Sequence, residues 1–126
     1  MTYETIERIA LKQRGAVKEY KPSWDSTLFW VGNRMFLLIM HDDETPMMNF
    51  KNDPFINLHL REKYPDITAA YHMNKKHWNT LYYKYSKIKT ELLEQLIRES
   101  RDIVFDLLTK KQKAALAGGF NDTANL

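Results

Sequence analysis

The chain contains no cysteine, which excludes disulfides, thiolate metal sites and a cysteine nucleophile. Glycine is scarce, at four in 126 residues, and none stands in a phosphate loop, a dinucleotide fingerprint or a Gly-Ser-Gly nucleophile elbow. No apolar run approaches the ~20 residues of a membrane span. Charge of either sign is not in large excess: 19 Lys and Arg face 16 Asp and Glu, for a net charge of +3. That value permits a polyanion partner through a local patch but does not argue for one. Met1-Thr2-Tyr3-Glu4-Thr5 has neither the basic region nor the apolar run of a secretion signal, so a cytoplasmic protein with no membrane partner is expected.

What remains is ordinary globular material, 44% hydrophobic and 28% charged, in a length suited to one core. A first helix is expected from Thr2 to about Arg14, with Thr2 as N-cap, a short stripe of Ile6, Ile9, Ala10 and Gln13, and Gly15 at its end. Ala16 to Tyr20 suits an edge strand, cut short by Pro22. The runs 27–31 and 34–40 flank Gly32-Asn33, a two-residue hairpin signal. After the acidic tip His41-Asp42-Asp43-Glu44-Thr45, residues 46–51 continue the meander. Asp53-Pro54 opens a second helix as N-cap and N1, with Ile56, Leu60 and Tyr64 on its apolar face and Pro65 beyond its end. The segment 66–73 has no clear form, and His77 to Tyr85 reads as a strand. Leu93, Leu96, Ile97, Ser100, Ile103, Val104 and Leu107 repeat at helical spacing from a cap at Thr90, with Lys110, Lys111 and Lys113 at or beyond the C-terminal end.

The order is helix, three or four strands, helix, one or two strands, helix: an α+β two-layer sandwich with helices on one face of an antiparallel sheet. It forms a single domain over residues 1–113, followed by a flexible tail over 114–126. Both parities of residues 35–40 are apolar, so the second sheet face is either covered by loops and tail or left open for a partner. The three Trp and six Met read as core material.

Candidate chemistry concentrates in Tyr71–Thr80. His72 and His77 are five apart with no Cys or carboxylate between them, which is poor metal-ligand spacing. Asp42-Asp43-Glu44 reads as a solvated tip. No catalytic, metal or cofactor site is expected. Lys75, Lys76 and His77 offer charge to phosphates, Asn74 and Asn79 offer amides, and Trp78 offers a ring to stack. If the segment enters a strand, Lys75 and His77 share one parity and Lys76 and Trp78 the other. Lys51, Arg34, Lys84, Lys87 and Lys89 would extend the patch. The plainer reading is a solvated basic turn whose Trp fills the core and whose Asn side chains cap turns.

The run Tyr71-His72-Met73-Asn74-Lys75-Lys76-His77-Trp78-Asn79, preceded by Met48-Asn49-Phe50-Lys51-Asn52-Asp53-Pro54 and Glu62-Lys63-Tyr64-Pro65, resembles the MmcQ/YjbR family. The similarity extends from roughly Tyr3 to Leu108, with Asn52 where a small residue, often Cys, is common. The resemblance implies a CyaY-like α+β fold and a non-enzymatic DNA-binding protein of the double-wing type. Its label falls on Asn74, Lys75, Lys76, His77 and Trp78, with Lys51 as neighbour. The alternative is a protein-interaction or chaperone-like module that uses the apolar sheet face.

Overall fold

The computed structural model describes residues 1–70 and 73–124, with side chains as far as Ala117. Helix α1 (Tyr3–Leu11) starts where expected, because Thr2 accepts a hydrogen bond from the Thr5 N–H at 3.3 Å. Its buried stripe is Ile6, Ile9 and Ala10. The chain then turns through Gly15, at φ +80°, into β1 (Ala16–Lys21).

Strands β2 (Ser26–Val31), β3 (Arg34–Met40) and β4 (Met47–Lys51) form the anticipated antiparallel meander. Gly32, at φ +60°, supplies the positive φ of the first hairpin. Strands β5 (Ile67–Ala69) and β6 (Trp78–Tyr82) complete a six-stranded sheet in the order β1-β2-β3-β4-β6-β5. All its pairings are antiparallel. Thus the indistinct segment after Pro65 contains a short edge strand.

Helix α3 (Thr90–Asp106) crosses the sheet and buries Leu93, Leu96, Ile97, Ser100 and Val104. Its N-cap is Lys89, without a side-chain cap bond, and Thr90 is already helical; the expected threonine cap does not form. Helix α2 (Pro54–Lys63) is capped by Asp53, whose Oδ1 accepts from the Phe55 N–H. Its buried residues are Asn57 and Leu60, whereas Ile56 is exposed. The helix is turned so that a polar side chain enters the interior.

The doubly apolar run in β3 has a specific cause. Phe29 pairs with Leu37, but Trp30 pairs with Met35, so Phe36 is an extra residue in a β-bulge. Phe36 and Leu37 are consecutive, yet both lie fully buried in the helix-side core. The bulge interrupts the ladder, and α3 repairs it: Ser100 Oγ donates to the Phe36 carbonyl at 2.7 Å and accepts from the Lys51 N–H at 2.8 Å. A lone serine in the apolar stripe of α3 is the sequence trace of this defect.

The second face carries Leu28, Leu38, Asn49 and Thr80 in one cross-strand row and Ser26, Met40, Met47 and Tyr82 in the next. Helices α1, α2 and α3 contribute to the core on the other side. Where a tail was expected from Ala114 lies α4 (Lys110–Ala124), whose Leu116 packs toward the core beside Gly15 and Gly32. Thr109 and Gln112 cap α4 reciprocally, each accepting a bond from the other's backbone N–H. Lys110, Lys111 and Lys113 lie beyond the end of α3, as expected, and there they open this new helix. Among the described residues, no helix is long and apolar enough to cross a membrane.

Candidate nucleic-acid interface

One end of the sheet collects most of the residues singled out by sequence. Lys51 closes β4 and Trp78 opens β6; they are register partners, with Lys51 Nζ 6.0 Å from the indole centroid. The run 74–77 is a turn before β6, not an extension of it, because the Asn74 carbonyl accepts from both His77 N–H (3.3 Å) and Trp78 N–H (2.9 Å). Alternation of faces therefore does not apply to Lys75, Lys76 and His77. Asn74 Oδ1 accepts from the Lys76 N–H at 3.0 Å, so this asparagine caps the turn. The side chains of Asn74, Lys75 and Lys76 are exposed, and His77 and Trp78 are half-buried. Tyr71 and His72 lie outside the described residues.

The turn is fastened from below. Arg61 donates to the carbonyls of Lys75 (2.5 Å) and Trp78 (3.1 Å) and to Asn79 Oδ1 (2.8 Å). Asn57 Nδ2 donates to the carbonyls of Asn52 (3.1 Å) and Lys76 (2.9 Å), while its Oδ1 accepts from Asn79 Nδ2. The Asn52 N–H donates to the His77 carbonyl at 3.0 Å. Asn52, Asn57 and Asn79 are essentially inaccessible. The polar groups here thus divide in two: Asn74, Asn57 and Arg61 hold the backbone of the turn, with Asn79 bonded to the side chains of the latter two, while the lysines face water. Periodicity did not single out Arg61 or Asn57, although both stand beside α2 positions that it marked as apolar.

Next to Lys51 and Trp78 lies a hollow of about 340 Å³, also lined by Asn33, Arg34, Met35, Val104 and Leu107. Burial first, and the Arg34 charge second, hold the Lys51 ammonium below its ordinary value of 10.5. Among the described residues none of Arg34, Lys51, Lys75 and Lys76 makes an ion pair. The nearby carboxylate of Asp53 is engaged as the α2 cap. Of the wider patch, Lys84 stands apart, donating to the Asp43 carbonyl at the acidic tip. Lys87 and Lys89 line a different depression with Lys63 and Tyr64.

None of the three tryptophans occupies the core as expected: Trp78 is half-buried beside the hollow. Trp24 is 58% exposed beneath Lys21 Nζ, and Trp30 is half-buried on the second face, donating to Glu19. His41 bonds Thr27 at 2.8 Å, and among the described residues no three His, Asp or Glu groups are placed to hold a metal ion.

Comparison with known proteins matches the YjbR family model to residues 11–103. Uncharacterized protein YbdF of Escherichia coli O157:H7 is 34% identical over 119 residues, covering 93% of this chain and 95% of its own. Uncharacterized protein YjbR of Escherichia coli strain K12 is 26% identical over 82 residues, covering 65% and 70%. The crystal structure of Deinococcus radiodurans protein DR2400, a DUF419 domain, superposes with TM-score 0.83 at 26% identity, covering 92% of this chain and 88% of that one. A Pseudomonas syringae protein shares the fold, with TM-score 0.71 at 22% identity, over 82% and 99%.

Proposed function

The chain belongs to the YjbR family, and from that premise and the geometry of its basic corner we propose that it binds DNA without catalysing a reaction on it, in the cytoplasm. Four cations at one end of the sheet support this reading. Lys75 and Lys76 are held out on a turn fixed by Arg61 and Asn57, and Arg34 and Lys51 lie beside the Trp78 indole. A fixed turn spares its backbone ordering on binding, so the phosphate contacts of the lysines are less offset by entropy. Base-edge readout is not part of the proposal.

Fluorescence anisotropy with labelled duplex and single-stranded DNA, at two salt concentrations, tests it. The expected result is binding that weakens as salt rises and is lost in the Lys75→Glu/Lys76→Glu variant, whose circular dichroism stays unchanged. Undiminished affinity in that variant removes the turn from the interface. No binding even at low salt ends the DNA reading.

The apolar residues that stay partly exposed on the second face favour one other reading, a protein-interaction module. Val17 is 60% and Tyr82 38% exposed there, with Trp30, Met35, Leu38, Met40 and Met47 half-buried around them. A purely monomeric sedimentation profile together with no binding of a hydrophobic dye counts against it.

A further inference from the structure

The hollow beside Lys51 has an unusual charge balance. Arg34 and Lys51 both line it, and no carboxylate does. The end of α3 also reaches it through Val104 and Leu107, and a helix C-terminus contributes at most about half a negative charge. The Val104 and Phe105 carbonyls there already accept from the N–H groups of Leu107 and Leu108. Two unit cations against about half a charge leave the hollow net positive. Burial first, and the proximity of Arg34 second, depress the Lys51 ammonium, so an anion seated between the two cations would relieve the second of these.

A phosphate monoester fits this arrangement better than a carboxylate. It carries nearly two negative charges at neutral pH and three acceptor oxygens, enough to bridge a guanidinium and an ammonium. The third wall is an aromatic ring: Trp78 is half-buried, with Lys51 Nζ 6.0 Å from its centroid. An indole beside a cationic phosphate seat is the combination that takes a flat base alongside its phosphate.

We propose that this hollow binds one nucleotide unit, with its phosphate between Arg34 and Lys51 and its base against Trp78. The proposal deepens the nucleic-acid reading by naming what one end of that interface holds, yet it requires only a mononucleotide and no strand.

The test is a titration of the full, nitrogen-15-labelled chain with a 2′-deoxynucleoside 5′-monophosphate and, separately, with inorganic phosphate. The nucleotide is expected to shift the Trp78 indole N–H, identified by its loss in Trp78→Phe, and the Arg34 and Lys51 amides. It should bind about tenfold more tightly than inorganic phosphate, through the added base contact. Arg34→Gln and Lys51→Gln should each weaken binding about tenfold. Both variants should keep the remaining spectrum, since the Ser100 contact uses the backbone N–H of residue 51. Absence of these shifts overturns the proposal, as does equal affinity for inorganic phosphate, which would mark a plain anion site. Nucleotide binding without duplex binding keeps this inference and removes the DNA function; duplex binding that depends on Lys75 and Lys76 without nucleotide shifts does the reverse.

Discussion

Asn57 satisfies three interior groups at once: the Asn52 and Lys76 carbonyls and the Asn79 amide. Truncation leaves these buried partners without an equivalent bond, and each unsatisfied group costs about 1–3 kcal/mol before relaxation and water entry. Asn57→Ala should therefore lower stability by about 2–4 kcal/mol in urea unfolding, and a loss below about 1 kcal/mol would show that the turn is held otherwise. Tyr83 offers a second residue-scale prediction. Burial above all, then the neighbouring Tyr3 and Glu4 charges, push its phenol up to about 12 from 10.0. The raised value favours the protonated phenol in the folded state. Its stabilisation is fully present below the unfolded value near 10 and is lost as pH rises through about 12. Wild-type protein should lose about 2 kcal/mol between neutrality and roughly pH 11.5 from this group, and Tyr83→Phe should lack that component.

At the scale of elements, two turns decide how the helical layer closes. Gly15 and Gly32 both have positive φ, and Leu116 of α4 approaches the bare Cα of each. An added Cβ at Gly15 meets its neighbours at an ordinary 3.6 Å, whereas at Gly32 it would lie 3.1 and 3.3 Å from the Leu108 methyls. Gly15→Ala should cost only left-handed strain, about 1–2 kcal/mol. Gly32→Ala should cost that and a displacement of Leu108 and so be the more destabilising; thermal unfolding of both variants checks the order. Equal losses would mean that Leu108 moves freely. The same closing region holds Arg101, whose guanidinium donates to the Arg14 carbonyl and stacks over Phe105 at 4.4 Å.

For the whole molecule, a net charge of +3 supplies little general attraction for DNA, so affinity must come from the corner. If Arg34, Lys51, Lys75 and Lys76 each neutralise one phosphate, the logarithm of duplex affinity should fall with the logarithm of salt at a slope of about −3 to −4. The neutral Lys75→Gln/Lys76→Gln variant, which removes the two charges without adding repulsion, should keep measurable binding with the magnitude of that slope reduced by about 2. A salt-independent affinity would instead direct attention to the apolar second face, where sedimentation at rising concentration should reveal self-association. The two surfaces are contiguous at Lys51 and Trp78, which project from the second face as well as lining the basic hollow.

The α+β order, the meander, the Gly32 hairpin and the Asp53-Pro54 helix start were legible in the sequence because each rests on local chemistry: a cap, a positive φ, a fixed proline φ. The Thr109–Gln112 cap of α4 was equally local but went unread, and the small residues from Ala114 on suggested a frayed tail beyond it. Other features have no local signature. The bulge at Phe36 depends on what pairs across the strand and on Ser100, 64 residues away, to bond its carbonyl. The meeting of Lys51 with Trp78 follows from β4 and β6 being neighbours in the sheet. Composition alone marked 71–80 as chemically dense. Only the tertiary structure separated its buried Asn79, whose amide would lose its hydrogen bonds without Asn57 and Arg61, from the lysines left in water.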